Sequence, residues 1–178
     1  MLGILLVCNT VFAQSSFKPG SEPNGFRGNR WGVEINTFTS MKEVDIGDDY
    51  KGIPQPPIDP YMLQHAKHYI KTDDSLQIEG VKVEKIIYGF WKGRLMSVSA
   101  KIEDKENFQK LKNALFQKYG EVQPTAAGFA VAYSWQGNVT VVVLSDYSES
   151  LGHAVLEFTS VNEQNAYSED LRQNMKND

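Results

Sequence analysis

The sequence predicts an α+β domain in which an antiparallel sheet of about six strands has one main helix packed on one face. Residues 83–91 and 95–102 are rich in β-branched and aromatic side chains, and the pair Lys92-Gly93 between them suits a tight hairpin. Residues 105–119 then place apolar side chains on one helical stripe. Three further strand-like segments follow that helix, at 129–136, 139–144 and 153–161.

The first 13 residues carry no charge and contain the apolar run 2–7, which is typical of a signal peptide. Val11 and Ala13 stand where a cleavage site before Gln14 takes branched or small residues. A run of this length does not span a bilayer, so we expect no stable membrane insertion. We therefore predict a periplasmic or secreted protein, cleaved near Ala13. The alternative is a lipoprotein signal in which Cys8, the one cysteine of the chain, carries the lipid.

The composition is typical of a soluble globular domain, with 41% hydrophobic and 22% charged residues in a chain of 178. The net charge of −4 argues against nucleic acid or an anionic membrane surface as the partner. We divide the chain into a signal peptide at 1–13, a flexible lead-in at 14–25, a single α+β domain at 26–161, and a short helix or disordered tail at 162–178.

Ahead of the central hairpin the sequence predicts loops and two strands. Residues 37–44 suit a short helix or an ordered turn. The acidic segment 45–49 is interpreted as a solvated turn, because it lacks the ligand spacing and the closing glutamate of a calcium loop. The proline-rich segment 52–60 predicts a stiff surface loop, and strands are expected at 66–72 and 76–78.

The central hairpin divides its side chains between two faces of the sheet. Strict alternation predicts that Ile87, Trp91 and Leu95 lie on the face that the helix leaves uncovered, among lysines, serines and a glycine. The face that the helix covers is predicted to contain Ile86, Tyr88, Phe90, Met96 and Val98.

The helix at 105–119 has clear start and stop signals, since Asp104 can cap its first turn and Gly120 can end it. Its apolar stripe consists of Phe108, Leu111, Leu115 and Tyr119. After the last strand, Ser160 and Glu163 have the spacing of a capping box. Because a helical element precedes three strands in each half, the chain is also compatible with two helix-plus-three-strand units.

Three groups of residues resemble small exported bacterial proteins of unknown function. They are Phe26-Arg27-Gly28-x-x-Trp31-Gly32, the run Tyr88-Gly89-Phe90-Trp91-Lys92-Gly93-Arg94-Leu95, and the helical stripe that ends at Tyr119-Gly120. The likeness covers roughly residues 25–160 and consists of structural aromatics and glycines. The alternation of a helix with strands also looks like small secreted modules that inhibit enzymes or assist outer-membrane assembly, a likeness of architecture alone.

The sequence contains none of the recognised motifs for catalysis, cofactor binding or metal binding. His65 and His68 would share a face on a helix, but on the expected strand they point to opposite faces, and no third ligand is near in sequence. We therefore predict no metal, no cofactor and no enzymatic activity.

We interpret the chain as an exported, non-catalytic binding or scaffold module of the bacterial envelope, whose partner is another envelope protein. A carrier of a small ligand or lipid is the first alternative, and a hydrolytic enzyme without a recognisable motif is the second. The candidate binding residues are Trp91, Ile87 and Leu95 on the uncovered face, with Trp31 and Arg30 as a separate aromatic–arginine pair.

Export predicts a mature N-terminus at Gln14. Mass spectrometry of the native protein should find that residue first, in its free or cyclised form, because signal peptidase cleaves after a small residue such as Ala13. Recovery of the chain from the cytoplasm with Met1 intact would contradict both the export and the removal of Cys8.

Overall fold

The computed structural model describes residues 17–45, 65–128 and 130–174, with the backbone alone at Ala127. The predicted signal peptide and the proline-rich loop lie outside these residues. The strands are β1 Gly25–Phe26, β2 Asn29–Arg30, β3 Met41–Glu43, β4 Ala66–Lys71, β5 Gln77–Ile78, β6 Val81–Lys82, β7 Lys85–Trp91, β8 Arg94–Ile102, β9 Thr125–Ala127, β10 Ala130–Gln136, β11 Thr140–Asp146 and β12 Ala154–Ser160. The helices are α1 Lys105–Tyr119, α2 Ser148–Leu151 and α3 Val161–Asn174, and a 3₁₀ turn covers Ile35–Thr37. None of the described helices is long and apolar enough to cross a membrane.

Eight strands form one antiparallel sheet in the order β3-β4-β7-β8-β12-β11-β10-β9. The first half of the chain forms the strands from the edge at β3 to β8 in the middle of the sheet, and the second half forms those from the other edge at β9 to β12. The two halves meet where β8 pairs with β12. The prediction of an α+β fold with an antiparallel sheet is confirmed, but within the described residues the sheet has eight strands rather than about six. The 14-residue α3 is a second long helix, where the sequence predicted one main helix and a short helix or disordered tail. The six central strands lie in segments that the sequence predicts as strands, whereas the edge strands β3 and β9, of three residues each, are additional. Two small hairpins, β1-β2 and β5-β6, lie outside the sheet.

Helix α1 has the bounds and the orientation that the sequence predicts. An Asp104 oxygen accepts a hydrogen bond from the Asn107 backbone N–H at 2.6 Å, and the chain leaves the helix at Gly120 with a φ of 100°. The stripe toward the sheet is buried throughout and consists of Phe108, Leu111, Leu115 and Tyr119. Apolar burial of this extent is the main attachment of α1 to the sheet.

A β-bulge in β8 changes the predicted division of side chains between the two faces. Gly89 pairs with Ser97 and Phe90 pairs with Leu95, so Met96 is an extra residue without a partner position on β7. The extra residue reverses the alternation at the start of β8. Leu95 therefore joins Phe90 in the core on the α1 side, where it is fully buried, and its predicted position on the opposite face is wrong. Met96 is only half-buried and leaves the predicted core set.

The residues of the Phe26-Arg27-Gly28 group attach the small N-terminal hairpin to the sheet. The Phe26 ring is buried against Tyr88 and Phe158, with ring centroids 5.9 and 5.4 Å away. Arg27 forms an ion pair with Asp74, and the Tyr88 hydroxyl donates to the other Asp74 oxygen at 2.7 Å. Burial, together with the bond to Asp74, raises the pKa of Tyr88 above its ordinary value of 10.0. These contacts give the group a structural role.

The described part of the predicted lead-in is attached to the end of α1. The Lys18 backbone N–H donates to the Tyr119 carbonyl at 2.7 Å. The Phe17 ring meets the Tyr119 ring edge-on, with 5.2 Å between centroids. Residues 17–25 thus run along the domain before the first hairpin begins.

Truncation of the α1 stripe should destabilise the fold more than loss of the helix cap. Leu115→Ala removes a side chain that is 0% exposed and should lower the free energy of unfolding by about 2–5 kcal/mol. Asp104→Ala should cost about 1 kcal/mol, because only the cap is lost. Chemical denaturation measures both, with exposed Gln109→Ala on the same helix as the control. Equal midpoints for the Leu115 and Gln109 variants would show that α1 is not packed in this way.

Candidate functional site

The side of the sheet turned away from α1 contains two of the predicted binding residues, Trp91 and Ile87. We call this side the α3 face, because α3 packs on one end of it. Its central part consists of Ile87, Gly89 and Trp91 from β7, Ser97 and Ser99 from β8, and Glu157 and Thr159 from β12. Trp91 and Ile87 share this face as the sequence predicts, whereas the bulge has moved Leu95 to the other side.

The middle of the α3 face is built from small side chains. A Cβ at Gly89 would collide with the Ser97 hydroxyl, so the close approach of that side chain requires glycine at position 89. Ser97 lies opposite Thr159 on β12, and these hydroxyl side chains project little from the sheet. A low polar strip therefore separates Trp91 from Ile87 along β7.

His68 borders this strip and was not among the predicted binding residues. It lies opposite Gly89 in the β4–β7 ladder, which places its imidazole on the α3 face. Burial lowers the pKa of His68 below its ordinary value of 6.5, and the nearby Asp45 acts in the opposite direction. His68 is therefore uncharged at neutral pH, and it can accept or donate a hydrogen bond without adding charge to the strip. Alternation along β4 alone does not show which face His68 occupies. The pairing of β4 with β7 shows that it is the α3 face.

At one end of the α3 face, helix α3 covers Trp91. Trp91 is only 2% exposed, and the Tyr167 ring packs against it with 4.9 Å between centroids and an interplanar angle of 73°. The indole N–H donates to an Asp170 oxygen at 3.3 Å. The His65 ring approaches the indole from β4's side, 5.8 Å away. Trp91 thus lies on the predicted face, but the last described helix of the chain lies over it.

Two ion pairs flank this aromatic contact. The Arg94 guanidinium donates to both oxygens of Glu163, from Nε at 3.1 Å and from Nη2 at 2.9 Å. The Lys92 ammonium lies 2.5 Å from an Asp170 oxygen. Because residues 163, 167 and 170 fall on one side of a helix, α3 presents a carboxylate–tyrosine–carboxylate stripe to a basic and aromatic surface. Sequence reasoning missed these three residues, although the Ser160–Glu163 spacing marked the start of the helix.

The Trp31 and Arg30 pair lies apart from Trp91. The Trp31 ring is half-buried against the core, and its indole N–H donates to the Thr140 hydroxyl at 2.6 Å, which fixes the ring at the start of β11. Arg30 is exposed in the small N-terminal hairpin. Gly32, the next residue along, lies against the Arg94–Glu163 pair, where a Cβ would come within 2.6 Å of both side chains. The close approach of the ion pair therefore requires glycine at position 32.

A small cavity lies between the start of α1 and the start of β12, and His153 lines it. His153 Nδ1–H donates to the Leu151 carbonyl at 3.1 Å, and the buried Nε2 has no hydrogen-bond partner among the described residues. The cavity has a volume of about 10 Å³, with Asp104 and Asp146 among its lining residues. A space of this size holds about one water molecule, which would satisfy Nε2.

Comparisons with protein-family models, with curated proteins and with solved structures find no match to this chain. Within the described ranges, no group of three or more histidine, cysteine, aspartate or glutamate side chains is placed to hold a metal ion. The described side chains of the α3 face are a covered aromatic ring, a basic flank and small hydroxyl groups.

The contact between Asp170 and Trp91 should depend on pH in an acidic range. The hydrogen bond with Lys92, aided by the Lys92 charge, Trp91 and His65 and opposed by burial, holds the pKa of Asp170 below its ordinary 3.8. A lowered pKa means that the contact contributes fully above 3.8 and is lost as the pH falls through the folded-state value. In an NMR titration the Trp91 indole N–H signal should therefore move with a midpoint below 3.8.

The Trp135 indole N–H is the internal control, since it donates to the Gly120 carbonyl at 2.7 Å and faces the other side of the sheet. Its signal should stay constant over the Trp91 transition. A Trp91 midpoint at or above 3.8, or parallel movement of both signals, would contradict the proposed Asp170 contact.

Proposed function

We propose that the protein is an exported, non-catalytic binding module of the bacterial envelope, and that it meets another envelope protein through the α3 face. The uncharged apolar leader that ends near Ala13 supports the export.

The observation that carries the binding proposal is the composition of the α3 face. Trp91 and Ile87, which are only 2% and 6% exposed, flank a strip of half-buried serine and threonine side chains, with Glu157 exposed on β12 beside it. An aromatic anchor within a surface of mixed polarity is how non-obligate interfaces are built. The opposite face cannot serve in this way, because α1 and the N-terminal segment pack on it.

The alternatives receive less support from the described part of the chain. A carrier of a small ligand or lipid needs a cavity of about 300–1,000 Å³. The cavity beside His153 has a volume of about 10 Å³, so that cavity does not serve a carrier. A hydrolase needs a nucleophile within hydrogen-bond reach of a base. On the α3 face the Trp91 indole and the Arg94 guanidinium donate to carboxylates. Neither of these two hydrogen bonds joins a nucleophile to a base.

Photo-crosslinking in intact cells tests this function. A benzoylphenylalanine at Glu157, an exposed position on the α3 face, should form an adduct with one envelope protein. The same probe at Gln109, an exposed position on the outer side of α1, should not form that adduct. Identical adducts from both positions, or none from Glu157 in a folded exported protein, would overturn the proposal that this face binds the partner.

A further inference from the structure

The two long helices are attached to the sheet by different physical interactions. Helix α1 buries four apolar or aromatic side chains, each at most 4% exposed. Among the described residues of α3 the only buried one is Glu163, a charged side chain. The described contacts of α3 with the sheet include two ion pairs, one indole hydrogen bond and one ring pair. We therefore expect α3 to open locally more readily than α1, which is packed on the core.

We propose that the surface formed by Trp91, Lys92 and Arg94 is a docking site for an amphipathic helix that presents a carboxylate–aromatic–carboxylate stripe, and that α3 occupies this site reversibly until a partner's helix replaces it. The inference rests on the proposed function, since it places the partner on the same face and names the chemistry that is recognised there.

The geometry of the site defines what a competing helix must carry. Arg94 offers two parallel N–H donors, and among common side chains a carboxylate matches this geometry best. Trp91 presents its ring to another aromatic at 4.9 Å and its indole N–H to an acceptor. Lys92 adds a positive charge at the far end, so a helix that binds here needs acidic groups on both sides of an aromatic residue.

The attachment of α3 permits its release without disruption of the sheet. Helix α3 follows β12 directly at Ser160, and Trp91 is paired with Ala66 and Arg94 on the neighbouring strands, so its ladder contacts do not involve α3. The Lys92 and Asp170 side chains are 42% and 28% exposed, so water and salt reach this ion pair. In the other pair the Arg94 side chain is 51% exposed, whereas the Glu163 side chain is only 10% exposed. The site is therefore closed by contacts that a partner of the same chemistry can replace.

The test uses the full mature chain and a fluorescent peptide with the sequence of residues 160–174. Asp170→Lys places a second positive charge beside Lys92, and the repulsion should release α3. The control variant, Glu169→Lys, makes the same charge change at an exposed neighbouring position. We expect Asp170→Lys to bind the peptide about tenfold more tightly than the wild type, because a larger fraction of the sites is open. Glu169→Lys should leave the affinity unchanged, and a peptide with Tyr167→Ala should not bind either variant.

Hydrogen exchange of the wild-type chain is the second measurement. It requires no substitution, so its result does not depend on whether a variant folds. Amides of α3 should exchange faster than those of α1, and added salt should accelerate α3 alone. Equal protection of the two helices, or peptide binding that Asp170→Lys does not strengthen, would overturn the inference.

The two experiments separate the inference from the proposed function. If an adduct forms at Glu157 but Asp170→Lys leaves the peptide affinity unchanged, the helix-docking site is contradicted. The proposed binding module is then still supported. If Asp170→Lys strengthens peptide binding but no adduct forms at Glu157, the helix-docking site is supported. The proposal that an envelope partner binds the rest of the α3 face is then contradicted.

Discussion

The ladder between β8 and β12 is the interaction on which the rest of the structure depends. It joins residues more than fifty positions apart, and it turns two four-stranded meanders into one sheet of eight strands. Its register places Phe158 beside Val98 and Leu156 beside Ala100, so apolar side chains from both halves lie under α1. The same register places Ser97 beside Thr159 on the other side and thereby creates the polar strip of the α3 face. A shift of one residue would exchange the two faces, because side chains alternate along a strand.

The bulge at Met96 then decides what stands at the end of the central hairpin. Without the extra residue, Leu95 would point away from the core. With it, Leu95 fills the core beside Phe90, and Arg94 comes to lie opposite Trp91 on the α3 face. One extra residue thus completes the core and also pairs an arginine with the tryptophan that α3 covers. The packing of the core and the arrangement of side chains on the α3 face therefore depend on the same bulge.

Local signals made the central hairpin and α1 predictable. The turn at Lys92-Gly93 has φ values of 47° and 79°, as the glycine indicated, and the apolar stripe of α1 needs no distant partner to be recognised. The edge strands β3 and β9 were missed because three residues show no usable periodicity, and the ladder with a neighbour defines them. The bulge was missed for the same reason, since only the register against β7 reveals that Met96 is extra.

The site residues of α3 escaped prediction because their pattern is not apolar. Periodicity searches find helices that bury hydrophobic side chains, whereas α3 presents Glu163, Tyr167 and Asp170 to the sheet. A helix of this kind gains little from leaving water, so its position depends on the charges and the ring that it meets. The sequence predicted Trp91 as an aromatic anchor for a partner, but it could not show that a helix of the chain itself packs on this ring. The polarity that hid α3 from sequence analysis is also the property that makes its attachment to Trp91 exchangeable.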